Sequence, residues 1–179
     1  MAEFTPERID GSRLLLRPPV IDDAGPLFQR VARDPQVTKY LLWTPHEDVA
    51  ATQRVITERM NVDPHLRTWV MVLQHSDEIV GMISCGRPLR HAAEIGYCIG
   101  RRWWGKGLMS EALDMLTATL SDDPDVYRMW ATCHVDNARS VRLLERAQFT
   151  LEGRMARHGI YPNLAAEPLD SLLYAKALR

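Results

Sequence analysis

Cysteine is scarce in this chain. Cys85, Cys98 and Cys133 are the only three, and an odd count without a CxxC pair supports neither a disulfide framework nor a zinc site. A reducing, cytoplasmic setting fits that usage, and no metal is expected. Charge of one sign is also missing: 22 Lys and Arg against 23 Asp and Glu give a formal net charge of -1. Non-specific nucleic-acid binding rests on a large basic excess, so that class is set aside. No stretch reaches the roughly 18 apolar residues of a membrane span. The start, Met1 to Pro6, has acidic and polar residues and a proline where a secretion signal needs a basic start and an apolar run. Internal repeats and low-complexity tracts are absent as well. What is present, 179 residues with 46% hydrophobic and 25% charged, is the length and balance of one folded domain. Its core is expected to span about residues 12–178.

Hydrophobic periodicity divides the chain into alternating elements. Ser12 to Pro18 is a short apolar run closed by prolines that donate no ladder hydrogen bond, which predicts a first strand. Leu27, Phe28, Val31 and Ala32 recur at helical spacing behind Asp22 and Asp23, either of which can cap, and Asp34-Pro35 stops that helix. Asp48 to Met60 predicts a second helix with Val49, Val55, Ile56 and Met60 inward. Two β-branched runs, Thr68 to Gln74 and Glu78 to Cys85, flank His75-Ser76-Asp77 as a hairpin. Glu94 to Gly100 predicts a strand after an Arg87 to His91 loop, followed by a helix over Lys106 to Leu120 and a strand over Tyr127 to His134. Asn137 to Ala147 reads as helix, and Phe149 to Arg157 and Ser171 to Leu178 read as strands. The order β-α-α-β-β-β-α-β-α-β-β is that of a mixed α/β domain.

The sharpest chemical signal lies where a strand hands over to a helix, at Ile99-Gly100-Arg101-Arg102-Trp103-Trp104-Gly105-Lys106-Gly107. A helix N-terminus exposes free N–H groups and a partial positive charge, and a glycine turn there lets the backbone close on a phosphate. Arg102 and Lys106 reinforce the field. The spacing matches neither the GxxxxGKS/T triphosphate loop nor the GxGxxG dinucleotide fingerprint. By itself the turn also fits a second description, a tight strand-to-helix connection with no ligand.

A second segment separates the two descriptions. Arg102 to Gly107 resembles the R/Q-x-x-G-x-G/A loop of the GNAT N-acetyltransferases, and Leu108-Met109-Ser110-Glu111-Ala112 continues as their helices do. Asn137 to Phe149 resembles the family's N-x-x-S-x-x-x-L-E-x-x-x-F segment, in the right order along the chain. Arg13 to Pro18, Glu94-Ile95-Gly96-Tyr97, Glu152-Gly153-Arg154 and Asp170-Ser171 extend the similarity toward the ribosomal-protein N-terminal (Rim-type) branch.

The resemblance implies one α/β domain, a mixed central sheet with helices on both faces and strands splayed at a cofactor cleft. It implies acetyl-coenzyme A as cosubstrate, held by Gly100, Arg102, Trp104, Gly105, Lys106, Gly107 and Leu108, with Cys98 and Ile99 lining the cleft, Asn137 opening the next helix and Arg142 within reach of a phosphate. The acceptor it implies is a primary amine, of a protein N-terminus or a small molecule, attacked directly without a covalent enzyme intermediate. A catalytically silent acetyl-coenzyme A sensor is a further reading. Trp43 and His46 fall where the family builds a wall of the acceptor site. The resemblance does not fix the oligomer as monomer or homodimer.

An amine must be neutral to attack a thioester, yet alkyl amines are mostly protonated near neutral pH, so a proton acceptor is needed. Glu94, in a strand of apolar residues and glycine, resembles the Rim-type strand glutamate, and partial burial would make it a useful base; a solvated carboxylate at a strand start is the other reading. His134 ranks behind it. Cys98 reads as a core residue rather than a nucleophile. Arg139, Arg142 and Arg146 make one side of their helix basic, a solvated stripe. Two positions depart from the family pattern. Leu144 stands where many members place the tyrosine that protonates the leaving thiolate, and Gln148 stands where glycine is usual. Ser140 matches the motif serine, and it reads either as the proton donor in place of that tyrosine or as a first-turn helix cap.

Overall fold

The computed structural model describes residues 7–179, so the Met1 to Pro6 start lies outside the described residues. One sheet of eight strands organises them, in the order β1-β2-β3-β4-β5-β6-β8-β7. The strands are β1 (Ile9–Asp10), β2 (Leu14–Arg17), β3 (Leu66–Leu73), β4 (Ile79–Leu89), β5 (Ala92–Ile99), β6 (Arg128–His134), β7 (Thr150–Gly159) and β8 (Leu169–Ala177). The helices are α1 (Ala24–Leu27), α2 (Pro35–Thr38), α3 (Val49–Glu58), α4 (Leu108–Asp122) and α5 (Ala138–Arg146). All strand pairs are antiparallel except β5 and β6, which α4 joins as a parallel crossover.

Strand alternation makes the two faces. Leu14, Leu16, Trp69 and Met71 point into a core closed by Leu108, Leu113, Leu116 and Leu120 of α4 and Leu144 of α5. Leu15, Val70 and Val72, their neighbours in sequence, point the other way, onto Ala24, Leu27, Val31 and Ile56 around α1 and α3. At about 1.5–3 kcal/mol for each large side chain fully withdrawn from water, the leucine face of α4 anchors that helix, and with it the loop that precedes it.

Several boundaries differ from the sequence reading, each for a local reason. The two-residue β1, too short to show a period, is turned back onto β2 by the Gly11 amide donating to the Leu14 carbonyl at 2.8 Å. The first helix is composite: a 3-10 turn (Ile21–Asp23), α1 and a π turn (Phe28–Ala32). Asp23 acts from inside its first turn, accepting from the Val20 amide at 2.8 Å and from Arg17. Asp34-Pro35 both ends this segment and starts α2, since the Asp34 carboxylate caps the Gln36 amide at 2.9 Å. The expected Arg87 to His91 loop is mostly strand, with Leu89 paired to Ala92 around a tight turn. Helix α4 begins at Leu108 rather than Lys106 because Gly107 is left-handed (φ 73), and it runs on to Asp122. Among the described residues no helix is long and apolar enough to cross a membrane.

One feature of the sheet positions the candidate site. β5 and β6 pair only through Ala92 with Arg128, Ala93 with Met129 and Glu94 with Trp130. Beyond Glu94 they part, although β5 continues to Ile99 and β6 to His134. The edges facing the opening keep peptide groups without a strand partner, which buried backbone does not tolerate unless something else satisfies it.

Candidate active site

The turn between β5 and α4 sits at the mouth of this opening. Gly100 must be glycine because a Cβ there would lie 2.5 Å from the Arg30 carbonyl. A 3-10 turn (Arg101–Trp103) follows, then Gly105 (φ 74) and Gly107 (φ 73), both left-handed, where a side chain is strained. A Cβ on Gly105 would meet no protein atom within 4 Å, so the space in front of this peptide is open. Among the described residues the amides of Gly105, Gly107 and Leu108 donate to no protein acceptor. The carbonyls, by contrast, are tied down from behind: Arg13 donates to those of Lys106 at 3.0 Å and Gly107 at 3.1 Å.

Arg13 is itself fixed by Glu111 in the first turn of α4. One Glu111 carboxylate oxygen takes the Arg13 amide at 2.7 Å, the Ser12 hydroxyl at 3.1 Å and the Leu14 amide at 3.2 Å, and the other takes the Arg13 guanidinium at 2.6 Å. Partial burial alone would push this carboxyl up, but the Arg13 and Ser12 donors outweigh it and hold it below its ordinary value. Carbonyls held from behind and amides without a protein acceptor give the loop the character of an anion cradle. Arg102 and Lys106 flank it exposed, with Arg102 3.5 Å from Glu78. A cavity of about 280 Å³ on the hairpin side, lined by Arg13, His75, Glu78, Arg102 and Lys106 among others, adjoins the cradle but lies apart from the strand opening.

Helix α5 forms the far side. Asn137 caps it, its side-chain oxygen accepting from the Ser140 amide at 3.2 Å. The Ser140 hydroxyl is buried and lies 2.7 Å from the Tyr97 hydroxyl on β5. Trp104 donates from its indole nitrogen to the Ile99 carbonyl at 2.9 Å, and the Arg139 guanidinium covers the Trp104 ring at 3.9 Å, so Arg139 is not simply solvated. Arg142 is exposed and has no ion pair among the described residues. Leu144 is fully buried in the core under α4. The helix ends in a left-handed Gln148 (φ 64), with the Gln148 amide on the Glu145 carbonyl and the Phe149 amide on the Leu144 carbonyl.

On the opposite face of the sheet Glu94 sits at the last residue where β5 and β6 pair. Its side chain is exposed, which matches the solvated-carboxylate reading rather than partial burial: Ala93 and Ile95 turn into the α4 core, whereas Glu94 and Gly96 face a stretch of sheet that the α1–α3 layer does not cover. Cys98 packs toward α1 and α3, and burial pushes its thiol up to about 12, so a nucleophilic role has no support there. His134 is buried on the same face as Glu94, stacked on Tyr40 (centroids 5.2 Å) and edge-on to Tyr161 (4.8 Å). Its Nδ1 accepts from the Asp136 amide at 3.1 Å. The ring lone pair is thereby used, leaving Nε2 with a proton to donate, which argues against His134 as the base.

Trp43 and His46 lie together, rings 5.2 Å apart. His46 meets the Thr52 hydroxyl at 2.8 Å, and burial lowers its pKa. Their segment is fastened across the molecule by Asn163, between β7 and β8, which donates to the Thr38 and Trp43 carbonyls at 2.7 and 2.8 Å. Sequence reasoning assigned no role to Tyr97, Tyr40, Tyr161, Asn163 or the Arg13–Glu111 pair. Arg13 and Glu111 are 98 residues apart, and no local pattern connects them.

Known proteins place this geometry. A family model for the acetyltransferase (GNAT) domain matches residues 13–150. The chain is 32% identical over 153 residues to an uncharacterized N-acetyltransferase, p20, of Bacillus licheniformis, covering 82% of this chain and 84% of that one. It is 30% identical over 132 residues to the ribosomal-protein-serine acetyltransferase of Escherichia coli strain K12, covering 72% and 74%. Among solved structures it resembles RimL, a ribosomal-protein α-N-acetyltransferase in complex with coenzyme A, with a TM-score of 0.83 and 26% identity over 96% of this chain and 98% of that one. With a cradle for an anion beside strands that part, and a family match over most of its length, the chain belongs to the GNAT family and is an acetyl-coenzyme A-dependent N-acetyltransferase.

Proposed function

We propose that the chain acetylates the N-terminal amine of a protein or peptide, and that Glu94 and Ser140 handle the protons. The observation that carries the reading is the parting of β5 and β6 between the two groups: Glu94 lies on one face of the opening, and Ser140, joined to Tyr97, on the other. Acetyl-coenzyme A fits the donor side. Its pyrophosphate meets the free amides of Gly105, Gly107 and Leu108 in the field of Arg102 and Lys106, and its amide-bearing arm finds the unpaired edge from Ile95 to Ile99. Gly100, Trp104, Asn137 and Arg142 border that track, and Cys98 lies on the strand that lines it.

When bound, acetyl-coenzyme A supplies an acyl group already activated as a thioester. Glu94, exposed, takes the proton of the attacking amine through a water. The Ser140 hydroxyl gives a proton to the sulfur, the duty that fully buried Leu144 cannot perform. Tyr40, Trp43, His134 and Tyr161 give the acceptor side a wall of aromatic rings, a surface that suits the uncharged backbone following a peptide's terminal amine. The named activity of the Escherichia coli relative points the same way.

A panel of peptides and small amines, with released thiol as the readout, tests this. Peptides with free N-termini are expected to be the best acceptors, and Glu94→Gln is expected to slow them about 100-fold with unchanged acetyl-coenzyme A affinity. Small amines outperforming every peptide would overturn the acceptor assignment.

A further inference from the structure

A side-chain hydrogen bond joins β5 to α5 beside the opening. Tyr97 leaves β5 after the strands have parted, Ser140 leaves the first turn of α5, and their hydroxyls meet at 2.7 Å. Cys133 of β6 is buried in the same core. Burial raises both the Tyr97 phenol and the Cys133 thiol, and the Ser140 contact only partly offsets this. Both therefore keep their protons. A serine hydroxyl has one proton and two lone pairs, and a phenol is the stronger donor of the two hydroxyls. The short bond thus runs from Tyr97 to Ser140, which leaves the serine's proton free to point elsewhere.

We propose that Tyr97 is a positioning residue for acetyl transfer: its hydroxyl occupies a lone pair of Ser140 and so turns the Ser140 proton toward the departing sulfur. This rests on the reading of Ser140 as the proton donor. In the transfer, the amine nitrogen bonds the acetyl carbon and the carbon–sulfur bond breaks with its electron pair on sulfur. Sulfur takes the Ser140 proton, the amine's surplus proton leaves through Glu94 and water, and Ser140 is reprotonated from that water. Tyr97 keeps its own proton throughout, since its phenolate would be the anion buried away from solvent. A structural tie between β5 and α5 would use the same hydrogen bond but would not link Tyr97 to the rate through Ser140.

A double-mutant cycle with Tyr97→Phe and Ser140→Ala separates the two roles. It is read by single-turnover transfer at saturating acetyl-coenzyme A, by calorimetric affinity for acetyl-coenzyme A, and by the ζ-carbon NMR resonance of labelled Tyr97 in ligand-free protein. Tyr97→Phe keeps the ring, and melting curves verify its fold. It is expected to slow the chemical step about 5- to 10-fold, to leave affinity unchanged and to add nothing in the Ser140→Ala background. The Tyr97 resonance is expected to move in Ser140→Ala. An unaltered rate in Tyr97→Phe, or equal slowing with and without Ser140, overturns the proposal. If Ser140→Ala itself transfers at the wild-type rate, the underlying reading of Ser140 fails, and the role of Tyr97 fails with it.

Discussion

The two sides of the active site are built by different means. On the donor side, residues contiguous in sequence, Gly100 to Leu108, make the cradle by backbone conformation, and the Arg13–Glu111 lock holds it from behind through several hydrogen bonds. On the proposed acceptor side, Tyr40, Trp43, His134 and Tyr161 come from three separate stretches, held by ring stacking and by one amide side chain, Asn163. A ligand common to a whole family can be met by main-chain groups, which every sequence supplies. A variable acceptor must be met by side chains, and their support is correspondingly thin.

Replacing Gly105 with valine tests the first half of this contrast most severely. The left-handed backbone there is strained by any β-branched residue, and the amide loses its approach to phosphate. Acetyl-coenzyme A affinity is expected to fall about 100-fold, or ~2.7 kcal/mol, by calorimetry on folded protein. An unchanged affinity would remove the cradle from the donor site.

Breaking the lock with Glu111→Ala strands the Arg13 and Leu14 amides and is expected to cost about 2 kcal/mol in chemical denaturation at neutral pH. The carboxyl's folded-state pKa is depressed from 4.5, so its stabilisation is complete above that value and is lost as pH falls through the lower folded value. The gap between wild type and Glu111→Ala should therefore close in acid. A gap that is constant with pH would mean that the charge contributes nothing.

Asn163→Ala sharpens the second half. The acceptor KM is expected to rise roughly 10-fold, about 1.4 kcal/mol, as two carbonyls lose their donor, whereas acetyl-coenzyme A affinity should hold. Loss of both affinities would show the two sides to be one mechanical unit. The smallest effect belongs to neither side: Gln148→Gly relieves a left-handed helix end and should raise stability by about 0.5–1 kcal/mol in a thermal melt, with kinetics unaltered.

The same contrast governs what could be read from the sequence. Period-two runs placed the hairpin of β3 and β4 and the strand β5, and the glycine spacing placed the donor loop, because both signals are local. Gln148 was legible for the same reason, as a side chain at a helix end where glycine is usual. In the sequence Glu94 stands between a partly buried base and a solvated carboxylate at a strand start, because its apolar neighbours are not assigned to faces: Ala93 and Ile95 enter the core, and Glu94 does not. The partnership of Tyr97 with Ser140 spans 43 residues, and that of Asn163 with Thr38 spans 125. Such pairs exist only once the sheet has brought its segments together. Leu144 was recognised as unable to donate a proton, but the hydroxyl that reaches Ser140 of α5 from strand β5 carried no signal beyond a tyrosine within the Glu94 to Tyr97 segment.

The early parting of β5 and β6 has a consequence on the time axis of the molecule. A sheet normally shields its amides from exchange with solvent hydrogen until the strands come apart, but peptide groups along the opening have no strand to come apart from. Their exchange is governed by whatever occupies the gap. In the ligand-free protein the edge amides there are expected to exchange like those of a surface loop, while Val70 to Val72, paired on both sides by β2 and β4, are expected to wait for global opening. With a ligand seated, deuterium uptake at those edge amides is expected to report how often the gap stands empty.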